Sequence, residues 1–341
     1  MSDLSVDPTE HELTPQPPHG MGGAKVEIIT SRDVPLGGLR SMKVKRTLPQ
    51  RQRSMIGAWC FCDHYGPDDV SVTGGMDVAP HPHTGLQTVS WLFQGKIMHH
   101  DAAGTHAVVR PGEANFMTAG SGISHSETST QDTKVLHGVQ LWVALPDEDR
   151  NMLRRFDHFA PELTKFDEGE ALVFVGSLLG ETSPVSTFTP LVGAEIRLNP
   201  GAEFTFEVDP EFEHGLLLDA GSIELEGVPV ARAELAYTGI GEKTLTIKNT
   251  GDDMARMLFF GGEPFKERIV MWWNFIGRTH EEVAKAREEW QARSERFGYV
   301  EGYIGHDPKG MEWIPAPKLP NAKITARKNP GPVARPEMRI G

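Results

Sequence analysis

The sequence predicts an all-β protein of two domains. Three observations carry that expectation. At 341 residues the chain exceeds one ordinary core and suits two domains with tails. Its 36 glycines and 25 prolines make up about 18% of the residues, which favours short strands joined by tight turns. Its apolar runs are brief and show a period of two, as where the large residues Val89, Trp91 and Phe93 alternate with Ser90 and Leu92.

In chain order, residues 1–24 hold Pro8, Pro15, Pro17 and Pro18 among acidic residues and glycines, without a periodic apolar face, and read as a flexible arm. Residues 25–147 form the first strand set: KVEII, VSWLFQG, KIMHHD, HAVVRPG, ANFMTAG and LHGVQLWVAL. PDEDRNMLRRFDHF then opens with Pro146 and an acidic turn and places Met152, Leu153 and Phe156 at helical spacing, which predicts a short linker helix. A second strand set occupies 148–276, where Phe204, Phe206 and Val208 alternate with Glu203, Thr205 and Glu207. A weak repeat relates the halves: WLFQGKIMH around Gly95 aligns with LLDAGSIEL around Gly221, and the offset of 126 sets Glu207 and Asp209 opposite His81 and His83. No histidine pair occurs there, and His214 stands alone as a structural residue. Residues 277–341 supply a packing helix, with Thr279 as N-cap and Glu282 completing a capping box, then a Pro-rich basic tail expected to be extended and solvated. The helix stripe is Val283, Ala286, Trp290 and Phe297, with Glu281–Lys285 and Glu289–Arg293 pairs at i, i+4.

Charge and composition narrow the function. A formal charge of −13 gives no basic field for a polyanion, so direct nucleic-acid binding is not expected. No apolar run approaches the ~18 residues of a membrane span, and Asp3, Asp7, Glu10 and Glu12 do not resemble a secretory signal; a cytoplasmic protein is expected. Cys60 and Cys62, two apart on a strand, read as buried thiols rather than a disulfide or a metal site.

The chemistry lies in APHPHTGLQ and GSGISHSET. Residues two apart on a strand share a face, so His81 and His83 can both enter a barrel, as can His125 and Glu127. A bare HxH is as readily a packed histidine pair. A second pair about forty residues on, behind the Gly120 and Gly122 turn, favours a metal. Three imidazoles and one carboxylate leave two open octahedral positions, which suits Fe(II), Mn, Co, Ni or Cu, with Zn a further occupant. Pro80 and Pro82 stiffen the first segment as an edge strand. His99, His100, His106 and His137 are assigned to the wall or surroundings of the site.

The run PHPHTGLQTVSWLFQGKIMHHDAAGTHAVVRPGEANFMTAGSGISHSE, with GVQLWV and FFGGEPFKERIV, resembles the signature of the pirin family, and the likeness covers most of residues 25–300. The resemblance implies two stacked cupin barrels and a mononuclear iron in the first, with ligands at His81, His83, His125 and Glu127. It implies one of two roles. The first is quercetin 2,3-dioxygenase activity on a flavonol, with Glu127 as proton acceptor and Gln87, Val89, Trp91, Phe116 and Met117 lining the substrate pocket. The second is metal-dependent regulation through a protein partner such as a transcription factor or a metabolic enzyme. Two departures stand out. Pirins usually carry Glu where this chain has Gln87, which cannot serve as acid or base. WWNFIGRTHEE replaces a glycine-proline-phenylalanine motif.

Overall fold

Two large antiparallel sheets pack face to face, and a smaller sheet closes each into a barrel. The computed structural model describes residues 25–35, 42–72, 74–306, 310–327 and 329–336, with the backbone of 339–340; the predicted arm 1–24 lies outside them. In the first barrel a seven-stranded sheet runs in the order Arg155–Phe159, Ala114–Thr118, Leu86–Gln94, Val135–Ala144, Trp59–Asp69, Lys43–Leu48 and Arg32–Pro35. It faces a four-stranded sheet of Asp77–His83, Ile123–Ser129, Ile97–Asp101 and His106–Val109. The second barrel repeats this plan, with a four-stranded sheet of Glu203–Glu207, Thr244–Asn249, Ile223–Leu225 and Val228–Val230. Gly95 and Gly221, matched by the repeat, both turn at positive φ, 86° and 88°.

Strand parity explains the core. Outward residues of the first large sheet, among them Cys62, Val89, Trp91, Val139 and Leu141, meet Phe174, Leu217, Leu258 and Phe260 of the second in one buried cluster between the barrels. Within the second barrel, Phe206, Leu245, Ile247 and Leu225 fill the interior, with Phe204 packed against them. Glu207 is exposed. The predicted register of Glu207 and Asp209 opposite the histidines is therefore corrected: inward positions here are phenylalanines, whose bulk leaves no polar chamber. His214 is buried and stacks on Phe259 with ring centroids 5.4 Å apart.

Other expectations change for local reasons. The linker helix does not form. Only turns appear, with Asp149 N and Arg150 N both reaching the Pro146 carbonyl and Met152 N reaching that of Asp149, and Leu153 is solvent-exposed. Arg155–Phe159 is a strand on Ala114–Thr118, so the first barrel takes an edge from beyond residue 147. Conversely Val26–Ile29 pairs with Leu235–Thr238 in the second barrel. The simple boundaries are thereby crossed in both directions.

The helix forms over His280–Gln291, and Thr279 Oγ1 accepts from Glu282 N at 3.2 Å. Val283, Ala286 and Trp290 are buried as expected. The pairing differs: Glu281 binds Lys323 at 2.6 Å and Glu289 binds Arg296 at 2.6 Å. The tail is docked, not solvated. Asn329 Oδ1 accepts from Ser54 N and Met55 N at 3.0 and 3.1 Å, Arg335 grips buried Glu27, and Ala334 joins the inter-barrel core. Its composition concealed this because the anchors are single residues spaced among prolines. No helix among the described residues is long and apolar enough to cross a membrane.

Candidate metal centre

The four predicted ligands come from two neighbouring strands. Asp77–His83, an edge strand as its prolines require, pairs antiparallel with Ile123–Ser129, setting His125 opposite His81 and Ile123 opposite His83. A bulge between His125 and Glu127 puts Glu127 opposite Val78, and the other flank pairs Glu127 with His99. Gly120 makes the turn into this strand at φ 53°; a Cβ there would lie 2.0 Å from the Met152 carbonyl oxygen.

Each side chain is at most 1% exposed. His81, His83 and His125 present nitrogens within 4.8 Å of one another, and so, as a second group, do His99, His125 and Glu127 with their ligand atoms. His81 Nδ1 donates to the Ala79 carbonyl at 2.9 Å, which leaves Nε2 as a bare lone pair. That Nε2 and Glu127 Oε2 are buried without a hydrogen-bond partner among the described residues. The Nε2 atoms of His83 and His125 lie 3.1 Å apart. Burial pushes His81 down to about 3. Burial first, and then the neighbouring histidines, hold His83 and His125 well below the ordinary imidazole range. All three are therefore neutral near pH 7, the state a cation requires of its ligands. Orphaned acceptors on two residues that each group with His125 suit a metal ion and are costly otherwise.

His99, assigned from sequence to the surroundings, comes nearer than expected. Its Nδ1 is 3.4 Å from His125 Nδ1, and its Nε2 contacts Asp101 Oδ2 at 3.1 Å. The opposite parity of His99 and His100 was readable; the cross-strand register that brings His99 to Glu127 was not. His100 instead faces outward against His106, with ring centroids 4.6 Å apart.

The expected substrate lining divides by parity. Val89, Trp91 and Phe116 point away from the ligands into the inter-barrel core, where Trp91 stacks on Phe174 and its Nε1 donates to Glu195 Oε2 at 2.6 Å. Gln87 shares their face and donates to Thr118 Oγ1 at 3.0 Å. Met117 lies opposite Thr88 and Phe156, and Phe156 stands 4.9 Å from the His99 ring. Four of the five residues, Gln87, Val89, Trp91 and Phe116, are thus removed from the pocket and Met117 remains, because the barrel interior falls on even positions of Leu86–Gln94 and odd positions of Ala114–Thr118.

Comparison with known proteins bears on this geometry. Residues 41–143 match the Pirin family and residues 193–298 the pirin C-terminal cupin domain. A Pseudomonas aeruginosa protein provisionally named a quercetin 2,3-dioxygenase is 42% identical over 280 residues, 81% of this chain and 87% of its own. The chain belongs to the pirin family. A pirin-like protein of Caulobacter vibrioides is 34% identical over 74% of this chain and 90% of its own. The crystal structure reported as quercetin 2,3-dioxygenase from Acinetobacter baumannii superposes with a TM-score of 0.82 at 38% identity, covering 89% of this chain and 98% of that one.

This pirin holds a second cluster of ligand type, His64, His137 and Asp219, between the barrels. Both imidazole Nε2 atoms contact Asp219 Oδ1, at 2.7 and 2.5 Å, and Arg256 Nε donates to Oδ2 at 2.6 Å. The guanidinium already neutralises the carboxylate and would repel a cation. The cluster is an inter-barrel ion pair.

Proposed function

We propose that this pirin is a mononuclear metal dioxygenase of the quercetin 2,3-dioxygenase type, with His81, His83, His125 and Glu127 as ligands and Fe(II) as the resident ion. The observation that carries this reading is a set of three buried neutral imidazoles, His81, His83 and His125, within 4.8 Å of one another, with the unpartnered Glu127 oxygen on a residue that groups with the same His125. The likeness to proteins named as quercetin 2,3-dioxygenases supports the substrate class. A bound divalent ion would supply Lewis-acid and redox chemistry that opens a flavonol to dioxygen. The chain's own part is distinct. The histidines fix the position at which the 3-hydroxyl and neighbouring carbonyl meet the site. Glu127 Oε2, buried without a hydrogen-bond partner among the described residues, takes the 3-hydroxyl proton. The burial of all four ligands, each at most 1% exposed, keeps bulk water from the ring-opening step.

The test is loss of quercetin absorbance with matched oxygen uptake, using anaerobically purified protein reconstituted separately with Fe(II), Mn, Co, Ni, Cu and Zn. His81→Ala is expected to abolish metal retention and uptake together. Uptake that persists in the variant would remove the proposal.

A further inference from the structure

Opposite the ligand strands lies the inner face of the large sheet, where several buried donors stand beside the Arg46–Asp63 ion pair. On Val135–Ala144, Val139 and Leu141 pack toward the second barrel. Gly138, Gln140 and Trp142 therefore face the ligands. Gln140 is 2% exposed; its Oε1 accepts from Ser90 Oγ at 3.0 Å, while its Nε2 has no hydrogen-bond partner among the described residues. Trp142 Nε1 is likewise buried and unpartnered among them, with its ring edge-on to His83 at 5.1 Å and stacked on Phe61 at 4.0 Å. On the adjoining strand Trp59–Asp69, the Tyr65 hydroxyl is the third such atom. It lies across Gly138, where a Cβ would come within 2.9 Å of it. Burial, reinforced by the Glu127 and Asp63 carboxylates, keeps that phenol protonated, so it is a donor.

Three hydrogen-bond donors without partners among the described residues thus share the inner face of one sheet, across the barrel from side chains that carry lone pairs. A buried unpaired donor costs about 1–3 kcal/mol, so a row of them implies a ligand that accepts. We propose that Tyr65, Gln140 and Trp142 form a donor row that binds the acceptor oxygens of a planar hydroxy-ketone held at the metal. The row selects planar ligands whose chelating oxygens keep a lone pair turned toward the large sheet. This rests on the proposed function and assigns substrate binding to residues on the opposite sheet from the ligands. Tyr65 lies on the Glu127 side and Trp142 on the His83 side, so the donors span the chamber.

The experiment uses the full chain loaded with Co(II) under nitrogen, titrated with quercetin and, separately, with tropolone, which carries only the chelating oxygen pair. Binding is followed by ligand absorbance, and metal content and melting temperature are recorded for each protein. Tyr65→Phe deletes one oxygen; Gln140→Glu keeps the Ser90 contact and turns a donor into an acceptor. Each variant is expected to retain one metal per chain and to weaken tropolone binding at least threefold, with about tenfold the central expectation for one lost hydrogen bond. A merely structural role would lower the melting temperature and leave the dissociation constant unchanged. Less than threefold weakening in either variant overturns the donor row. A wild type that binds tropolone but neither binds nor consumes quercetin removes the flavonol reading alone, because the variants still decide the row on tropolone. A wild type that binds neither probe overturns both.

Discussion

Replacing Asp219 by alanine tests what joins the two barrels. Its carboxylate is fully buried and accepts from His64, His137 and Arg256 at 2.7, 2.5 and 2.6 Å. Burial works against the charged form, but the His137 and His64 hydrogen bonds and the Arg256 charge outweigh it and hold the carboxyl far below its ordinary range. Removing it strands two imidazole N–H donors and a guanidinium. Each hydrogen bond to a charged acceptor is worth roughly 1.5 kcal/mol, and Arg256, 26% exposed, adds about 1 kcal/mol after allowance for solvent. The sum, about 4 kcal/mol, agrees with the cost of breaking a buried pair from one side and is a large part of a typical 5–15 kcal/mol stability. The assay is urea unfolding at pH 7, where the midpoint should fall with unchanged slope. Because the folded carboxyl is depressed, its contribution is present above about pH 4 and is lost as pH falls through its lower folded value. In a double-mutant cycle, His137→Ala should cost far less in the Asp219→Ala background than alone. A loss below ~1 kcal/mol, or full additivity with His137→Ala, would refute the reasoning.

Two further outcomes follow from other sites. Burial lowers His214 to about 4, so its neutral form favours folding fully above pH 6.5 and progressively less down to about pH 4; at pH 5 the loss is about 2 kcal/mol. His214→Phe should lose correspondingly less stability between pH 7 and pH 5, and an unchanged pH dependence would count against this assignment. Gly120→Ala combines a positive φ with a Cβ 2.0 Å from the Met152 carbonyl. It should cost at least ~2 kcal/mol in unfolding and lower metal retention by displacing the strand that carries His125 and Glu127, a coupling read by metal analysis after dialysis.

Much of the site was legible because strand periodicity is local. His81, His83, His125 and Glu127 are even-spaced within two short segments, and the glycine turn before the second pair needs no long-range information. The capping box at Thr279 was legible for the same reason. What failed was non-local. Alternation shows that Val89 and Trp91 share a face, but not whether that face meets the ligands or a second barrel equally able to bury it. Met152, Leu153 and Phe156 fit helical spacing, yet the open edge of Ala114–Thr118 offered Phe156 a sheet partner opposite Met117. His99 reached the cluster through a register that only strand pairing sets.

Val26–Ile29 and Arg155–Phe159 each complete the barrel encoded by the other half of the chain. On a ribosome, Val26–Ile29 must wait for Leu235–Thr238 to emerge, holding an unpaired hydrophobic edge through most of synthesis. Neither half holds every strand of its own barrel. Expression of either alone should yield aggregation-prone material, whereas the halves made together should recover a metal-binding assembly.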